Sequence, residues 1–175
     1  MDIDPAIRDG MLKAVPGLRA FAISLSGNVD RADDLVQETL LRAIANIKSF
    51  TPGTNLSAWL FTILRNQFRS EYRKRRREVE DADGAFAARL EAPAEQLAKV
   101  EFNDLKSALS RLPDDQREAL ILVGASGFSY EEAAEICGCA VGTIKSRVNR
   151  ARNRLADIMA LGPREGPDTV LETGS

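Results

Sequence analysis

Apolar positions recur along most of the chain at steps of three and four, the spacing of one face of an α-helix. Asp4-Pro5 predicts an N-cap followed by proline at the first helical position, and Pro16 restarts or kinks a pattern that runs on through Leu18, Phe21, Ala22 and Leu25. Gly27-Asn28 ends it, and Asp30 is expected to cap the next helix, whose buried face is Val36, Leu40, Ala43, Ile44 and Ile47. Thr51-Pro52-Gly53-Thr54-Asn55 reads as a turn-rich loop. Asn55 then caps a long helix with Leu56, Trp59, Leu60, Ile63, Leu64, Phe68 and Tyr72 on one side and Arg65, Arg69, Arg73 and Arg76 on another. Periodicity fades from about Glu78 to Glu91, apart from a short turn around Phe86 to Leu90, and returns with Leu97, Val100, Leu105, Ala108, Leu109 and Leu112. Leu112-Pro113 breaks it, and Pro113 can open the first turn of a helix carrying Ala119, Leu120, Leu122 and Val123.

Residues 129–157 carry the strongest local signal: a short helix, a glycine turn and a long basic helix. Ser129 and Glu132 have the spacing of a capping box, in which each side chain takes up the other residue's backbone N–H. Ala133, Ala134 and Ile136 form an apolar stripe, and Gly138 supplies the positive φ that a tight exit requires. In the following helix Val141, Ile144, Val148, Ala151, Leu155 and Ile158 share one face. Lys145, Arg147, Arg150, Arg152 and Arg154 lie off that face, with no carboxylate between Val141 and Leu155. An amphipathic core helix with a solvated basic face would leave these five cations repelling one another. A helix-turn-helix whose second helix enters the DNA major groove accounts for them.

Composition adjusts this picture in two ways. The net charge of −2 over 175 residues argues against a nucleic-acid partner until its distribution is seen. Arg65 to Arg77 holds seven Lys or Arg against the single Glu71, whereas Glu78 to Asp104 holds eight carboxylates against Arg89 and Lys99. Two basic surfaces are therefore separated by an acidic segment. There is no histidine, and Cys137 and Cys139 are too few for a structural zinc site and poorly placed for a disulfide. No Walker loop, dinucleotide fingerprint or nucleophile elbow is present; Gly142-Thr143-Ile144-Lys145-Ser146 has the wrong spacing for a phosphate loop. Neither a catalytic role nor a cofactor or metal is expected. No apolar run is long enough to span a bilayer, and the acidic N-terminus lacks the layout of a signal peptide, so a cytoplasmic protein without a membrane partner is expected. The fold class expected is all-α: a helical domain over residues 5–78, a flexible acidic linker over 79–93, a second helical domain with the helix-turn-helix over 94–161, and a disordered tail over 162–175.

Four motifs in this order resemble bacterial RNA polymerase sigma factors of the extracytoplasmic-function (ECF) group. They are Asp33-Asp34-Leu35-Val36-Gln37-Glu38-Thr39, Asn55-Leu56-Ser57-Ala58-Trp59-Leu60, Leu112-Pro113-Asp114-Asp115-Gln116-Arg117-Glu118 and the helix-turn-helix. More narrowly, the stretch from Gly124 to Cys139 resembles the EcfG-type factors of the alphaproteobacterial general stress response. The resemblance spans roughly residues 5–160.

It implies core RNA polymerase as partner, through the β′ clamp helices and the β flap, with the second helix docking on the clamp. Asp34, Gln37, Glu38 and Leu41 project together from that helix, away from Val36, Leu40 and Ile44. It further implies promoter DNA. Thr54 and Asn55 would receive a flipped base of the −10 element, with Asn66, Arg69 and Arg73 along the separated strand; cations suit phosphates, and an Asn amide offers both donor and acceptor to a base edge. Trp59 sits on the apolar stripe and reads as core rather than as a stacking platform. For the −35 element, Thr143, Ser146, Arg147 and Arg150 would reach base edges, while Lys145, Arg152 and Arg154 touch phosphates. The EcfG resemblance implies a GGAAC-like −35 site, a GTT-like −10 site, and a NepR-like anti-sigma factor removed by a phosphorylated PhyR-like regulator. No dimerisation helix is evident, so a monomer is expected when free. Two other functions fit a helix-turn-helix chain: a regulator acting without polymerase, which leaves the first basic helix unexplained, and a sigma-mimicking decoy for an anti-sigma factor, which has no need of the cations.

Overall fold

In the computed structural model the described residues are 2–81 and 100–160; the predicted turn at 86–90, Leu97, most of the acidic linker and the 162–175 tail lie outside them. Among the described residues every regular element is helical. Helix α1 spans Pro5–Ser26, α2 Val29–Ala45, α3 Leu56–Asp81, α4 Val100–Ser110, α5 Asp114–Leu120, α6 Tyr130–Cys137 and α7 Val141–Ala160.

Most boundaries follow the chemistry of their caps. Asp4 accepts the Ala6 N–H at 2.8 Å ahead of Pro5, and Gly27 at φ 70° closes α1 in the left-handed conformation. Asn55 accepts the Ala58 N–H at the start of α3. Four boundaries differ from expectation. Pro16 lies inside an unbroken α1: both Pro16 and Leu12, whose carbonyl loses its donor, are exposed residues, where water is at hand for the freed group. The cap of α2 is Asn28, which accepts from the Arg31 N–H at 3.0 Å, and Asp30 sits in the first turn. Pro113 occupies the N-cap position of α5 rather than its first turn, and α5 opens after Leu120 into a wider π turn, Ile121–Ala125, closed by Ser126 N–H on the Ile121 carbonyl. That wide turn carries the chain over to Phe128, whose N–H reaches the Leu122 carbonyl at 3.0 Å. At its far end α3 continues through Asp81, three residues past the expected domain edge at 78.

Helices α1, α2 and α3 pack together around Leu18, Phe21, Leu35, Leu60 and Leu64, all essentially free of solvent contact. Leu35 and Thr39 are buried on α2 in addition to the expected Val36 and Ala43; the Thr39 hydroxyl donates to the Leu35 carbonyl, so its burial leaves no unmet donor. Trp59 is half-buried and packs on Phe50 with ring centroids 5.2 Å apart, as its place on the stripe implies. In the second half α5, α6 and α7 enclose Leu122, Ile136, Ile144 and Val148, and α4 lies along α7.

The two helical modules are in contact. Helix α3 packs against α6 and α1 against α5. An aromatic series crosses the junction: Phe21 of α1 stacks on Phe61 of α3 at 5.1 Å, and Phe61 meets the edge of Phe128 at 4.9 Å and 76°. Phe61, 2% exposed, was not on the expected apolar stripe of α3; its ring is covered by Phe21 of its own module and by Phe128 of the second.

Candidate nucleic-acid interface

The helix-turn-helix forms as its residues dictate. Ser129 accepts the Glu132 N–H at 3.0 Å and Glu132 accepts the Ser129 N–H at 2.9 Å, completing the capping box. Gly138 at φ 67° ends α6, and Ile144, Val148 and Ala151 hold α7 against it. Steps of 100° then place Gly142, Lys145, Ser146, Asn149, Arg150 and Asn153 on the outward arc of α7, all exposed. Asn149 lies near the middle of that arc and escaped the sequence reading, which followed the cations. Its position three residues after Ser146 was the available signal. A shallow recess between α6 and α7 is lined by Tyr130, Lys145, Ser146, Asn149 and Arg152, with the Lys145 ammonium 5.8 Å from the Tyr130 ring centre.

Arg147 is placed differently from its expected companions. Its side chain is one-quarter exposed, its guanidinium lies 3.5 Å from the Asp115 carboxylate of α5, and it donates to the Cys139 sulfur at 3.8 Å. The carboxylate missing between Val141 and Leu155 is thus supplied by α5, so Arg147 links the two helices while Arg150, Arg152 and Arg154 remain open to solvent. Thr143 is half-buried at the edge of the same arc.

On the first module Asp34, Gln37 and Leu41 are exposed together on α2, Leu41 at 64%. Glu38 is less open and accepts from the Arg42 Nε at 3.1 Å one turn on. An exposed leucine ringed by polar side chains is the make-up of a detachable docking surface.

The residues expected at the −10 element are split by the second module. Thr54 and Asn66 are exposed, and Arg73 lines the mouth of a cleft between the modules. Asn55 donates through its side-chain amide to the Glu132 carboxylate of α6. Arg69 donates to Glu118 Oε2 at 3.1 Å. Arg65, expected on an open cationic stripe, is instead buried and bonded to Glu118 Oε1; the two side chains are 10% and 4% exposed. Glu118 was not singled out from sequence, although its position four residues before Leu122 puts it on the buried face of α5. Its partners lie 49 and 53 residues away, and nothing local announces them.

Two titrating groups record this environment. Burial, reinforced by the neighbouring Glu118 carboxylate, pushes the Cys137 thiol up to about 12, so it stays protonated and donates to Glu118 at 3.7 Å. The Glu132 carboxyl is held below the usual carboxylate range, chiefly by the Ser129 backbone N–H and next by the Asn55 amide. A lowered folded-state pKa contributes stability that is complete above the ordinary value of 4.5 and is lost as pH falls through the lowered one. The urea midpoint of the native chain should therefore exceed that of Glu132→Gln at neutral pH, and the difference should shrink below about pH 4.5. A difference constant down to about pH 3 would contradict the capping role of the charged form.

Residues 11–78 match the family Sigma-70 region 2, and residues 102–155 match Sigma-70, region 4. The chain is 69% identical over 173 residues to the ECF RNA polymerase sigma factor EcfG of Rhodopseudomonas palustris, covering 98% of this chain and 96% of that one. It belongs to the sigma-70 family, in its ECF group. Among solved structures it is similar to the sigma factor RpoE of Bartonella quintana in complex with the anti-sigma factor NepR, with a TM-score of 0.80, 56% identity, and coverage of 90% of this chain and 99% of that one. It is also similar to CnrH in complex with the cytosolic domain of CnrY, with a TM-score of 0.68 at 27% identity over 89% of this chain and 88% of that one. The region 2 match covers α2 and the basic helix α3; the region 4 match covers the helix-turn-helix.

Proposed function

We propose that this sigma factor binds core RNA polymerase through Asp34, Gln37, Glu38 and Leu41 and directs it to promoters of general stress response genes. Region 2 opens and holds the −10 element with Thr54, Asn55, Asn66, Arg69 and Arg73, and region 4 reads the −35 element in duplex form. The observation that carries this reading is the pairing of two cationic helices, α3 and α7, in one chain, each inside a module of the family that uses both.

On α7 the exposure of the outward arc supports the following roles. Ser146, Asn149 and Arg150 face the base edges. Asn is suited to a bidentate contact with adenine and Arg with guanine. Lys145, Arg152 and Arg154 meet phosphates and set register. Thr143 stands at the rim, and Arg147 orients the helix through Asp115. Arg150→Ala should cost about 1–3 kcal/mol and flatten preference at one base pair, whereas Arg152→Ala should weaken all sequences alike. Arg147→Ala should lower stability while keeping the base preferences. A binding matrix in which Arg147→Ala loses preference at one position and Arg150→Ala loses none would reverse the assignment.

The similarity to EcfG and to a sigma factor solved with NepR supports control by a NepR-like anti-sigma factor. An antagonist touching both modules gains from their linkage, because the second contact forms at high effective concentration. The free chain acts as a monomer in the cytoplasm. Co-elution of the chain with core polymerase in gel filtration tests the proposal, and separate elution at micromolar concentrations would refute it.

A further inference from the structure

We propose that Phe50 and Trp59 are positioning residues for promoter recognition: their paired rings hold the loop at residues 51–55 in the shape in which Thr54 and Asn55 meet a −10 base. This rests on the assignment of Thr54 and Asn55 to that element and adds what fixes their geometry.

All five loop residues are exposed, yet the loop is tied at its tip and at both ends. Pro52 and Gly53 fill its centre, with Gly53 at φ 90°, and the Thr51 carbonyl accepts the Thr54 N–H at 3.2 Å. Those residue types and that bond are the pattern of a type II turn, whose second central position needs a positive φ. The same carbonyl accepts the Thr54 hydroxyl at 2.6 Å, so the hydroxyl hydrogen is committed and its oxygen faces a base as an acceptor. Asn55 accepts the Ala58 N–H through its side-chain oxygen at 3.1 Å and the Trp59 N–H through its backbone carbonyl at 3.2 Å. The cap therefore engages the oxygen of that amide and leaves the NH2 group to address other partners.

Below the turn, aromatic rings join the two ends of the loop. Phe50, the last residue before it, is buried and lies 5.2 Å from the half-buried ring of Trp59, one turn into α3. The Phe50 N–H is held by the Ile47 carbonyl at 3.1 Å, so its ring enters from a fixed backbone. On the other side α1 comes so close to the first residue of α3 that a Cβ at Gly10 would stand 2.8 Å from a Leu56 methyl. Each of these ties runs within region 2. The turn sets the curvature of the loop and the ring pair sets the distance between its ends, so together they fix where Thr54 and Asn55 point.

Base choice at the −10 element thus depends on rings that act through the loop. A loop that the strand had to order would give up conformational freedom on binding, for right and wrong bases alike. A loop already shaped discriminates, because a wrong base meets groups that cannot move to suit it. Without the indole, Thr54 and Asn55 keep their chemistry and lose their placement. The outward arc of α7 and the exposed face of α2 lie on other elements and do not depend on the ring pair.

The test is run-off transcription by the full chain with core polymerase, on a template with the GTT-like −10 element and on templates with single-base changes in either element. The −10 preference is the ratio of transcript from the intact template to that from the altered one. Trp59→Leu is expected to reduce this ratio by roughly tenfold, while −35 preference and co-elution with core polymerase stay native. Trp59→Phe, which keeps a ring on Phe50, should recover most of the loss. Gly53→Ala reaches the loop from its tip: nothing lies within 4 Å of the added Cβ, so the change acts through the positive φ and should also flatten the −10 preference. A folding defect in Trp59→Leu therefore does not decide the result. Native −10 preference in either Trp59→Leu or Gly53→Ala would overturn the proposal. So would equal losses in Trp59→Phe and Trp59→Leu, because the indole itself would then touch the strand. The assignment beneath it fails separately: native −10 preference in a chain with both Thr54→Ala and Asn55→Ala would refute that assignment.

Discussion

The chain with Asp34→Lys, Gln37→Ala and Leu41→Ala is expected to lose its association with core polymerase and to retain its helicity. All three side chains are exposed on α2, away from Leu35, Val36, Thr39 and Ala43, so the core of region 2 does not register their replacement. Leu41 is the anchor in this account: at 64% exposure it is among the most open large apolar side chains described. Truncating a central contact of a docking surface typically costs on the order of 2 kcal/mol, and reversing a charge beside it adds repulsion. Together the changes should weaken association by roughly a hundredfold or more. Circular dichroism and gel filtration with core enzyme decide the matter. Native helicity with native co-elution would place the polymerase surface elsewhere.

The largest effect on stability is expected from Phe61→Ala. Phe61 stacks on Phe21 within region 2 and meets Phe128 across the junction, so its loss opens a void in two cores at once. Gly17 of α1 lies beside this ring: a Cβ added there would meet the Phe61 ring tip in van der Waals contact at 3.5 Å. Replacing a buried phenylalanine by alanine costs about 3–5 kcal/mol, a large share of the roughly 5–15 kcal/mol that holds a domain folded. The urea midpoint should fall accordingly. A loss below about 1 kcal/mol would show that the Phe61 ring does not fill a shared core between Phe21 and Phe128.

These two cases mark what sequence could and could not reveal. The outward face of α2 was legible because its opposite face is a regular apolar stripe, and a helix with one stripe has one free side. Capping chemistry at Asp4, Asn55, Ser129 and Gly138 was legible because each cap satisfies backbone groups within four residues. Asn28 rather than Asp30 capped α2 because both residue types suit an N-cap and only the chain's exit from Gly27 chooses between them. Pro16 misled because its cost depends on whether the freed carbonyl meets water, which the sequence does not specify.

The junction between the modules was illegible for a different reason. Phe61, Arg65 and Glu118 carry ordinary helical spacing, and their partners are separated from them by the acidic segment. A buried Arg–Glu pair bridging 53 residues has no periodic signature. On α7, charge drew notice to Arg147 and away from Asn149. The open face at Asn149 and the Asp115 carboxylate beside Arg147 are the grounds on which we propose Asn149 rather than Arg147 as a base contact.

Run-off transcription with purified core polymerase on a template bearing the GGAAC-like and GTT-like elements tests the central claim most directly. The account predicts a transcript of defined start only when this chain is present, reduced by disruption of either element and abolished by the Asp34, Gln37 and Leu41 changes. Specific initiation by core enzyme without the chain, or no initiation with it, would contradict the account.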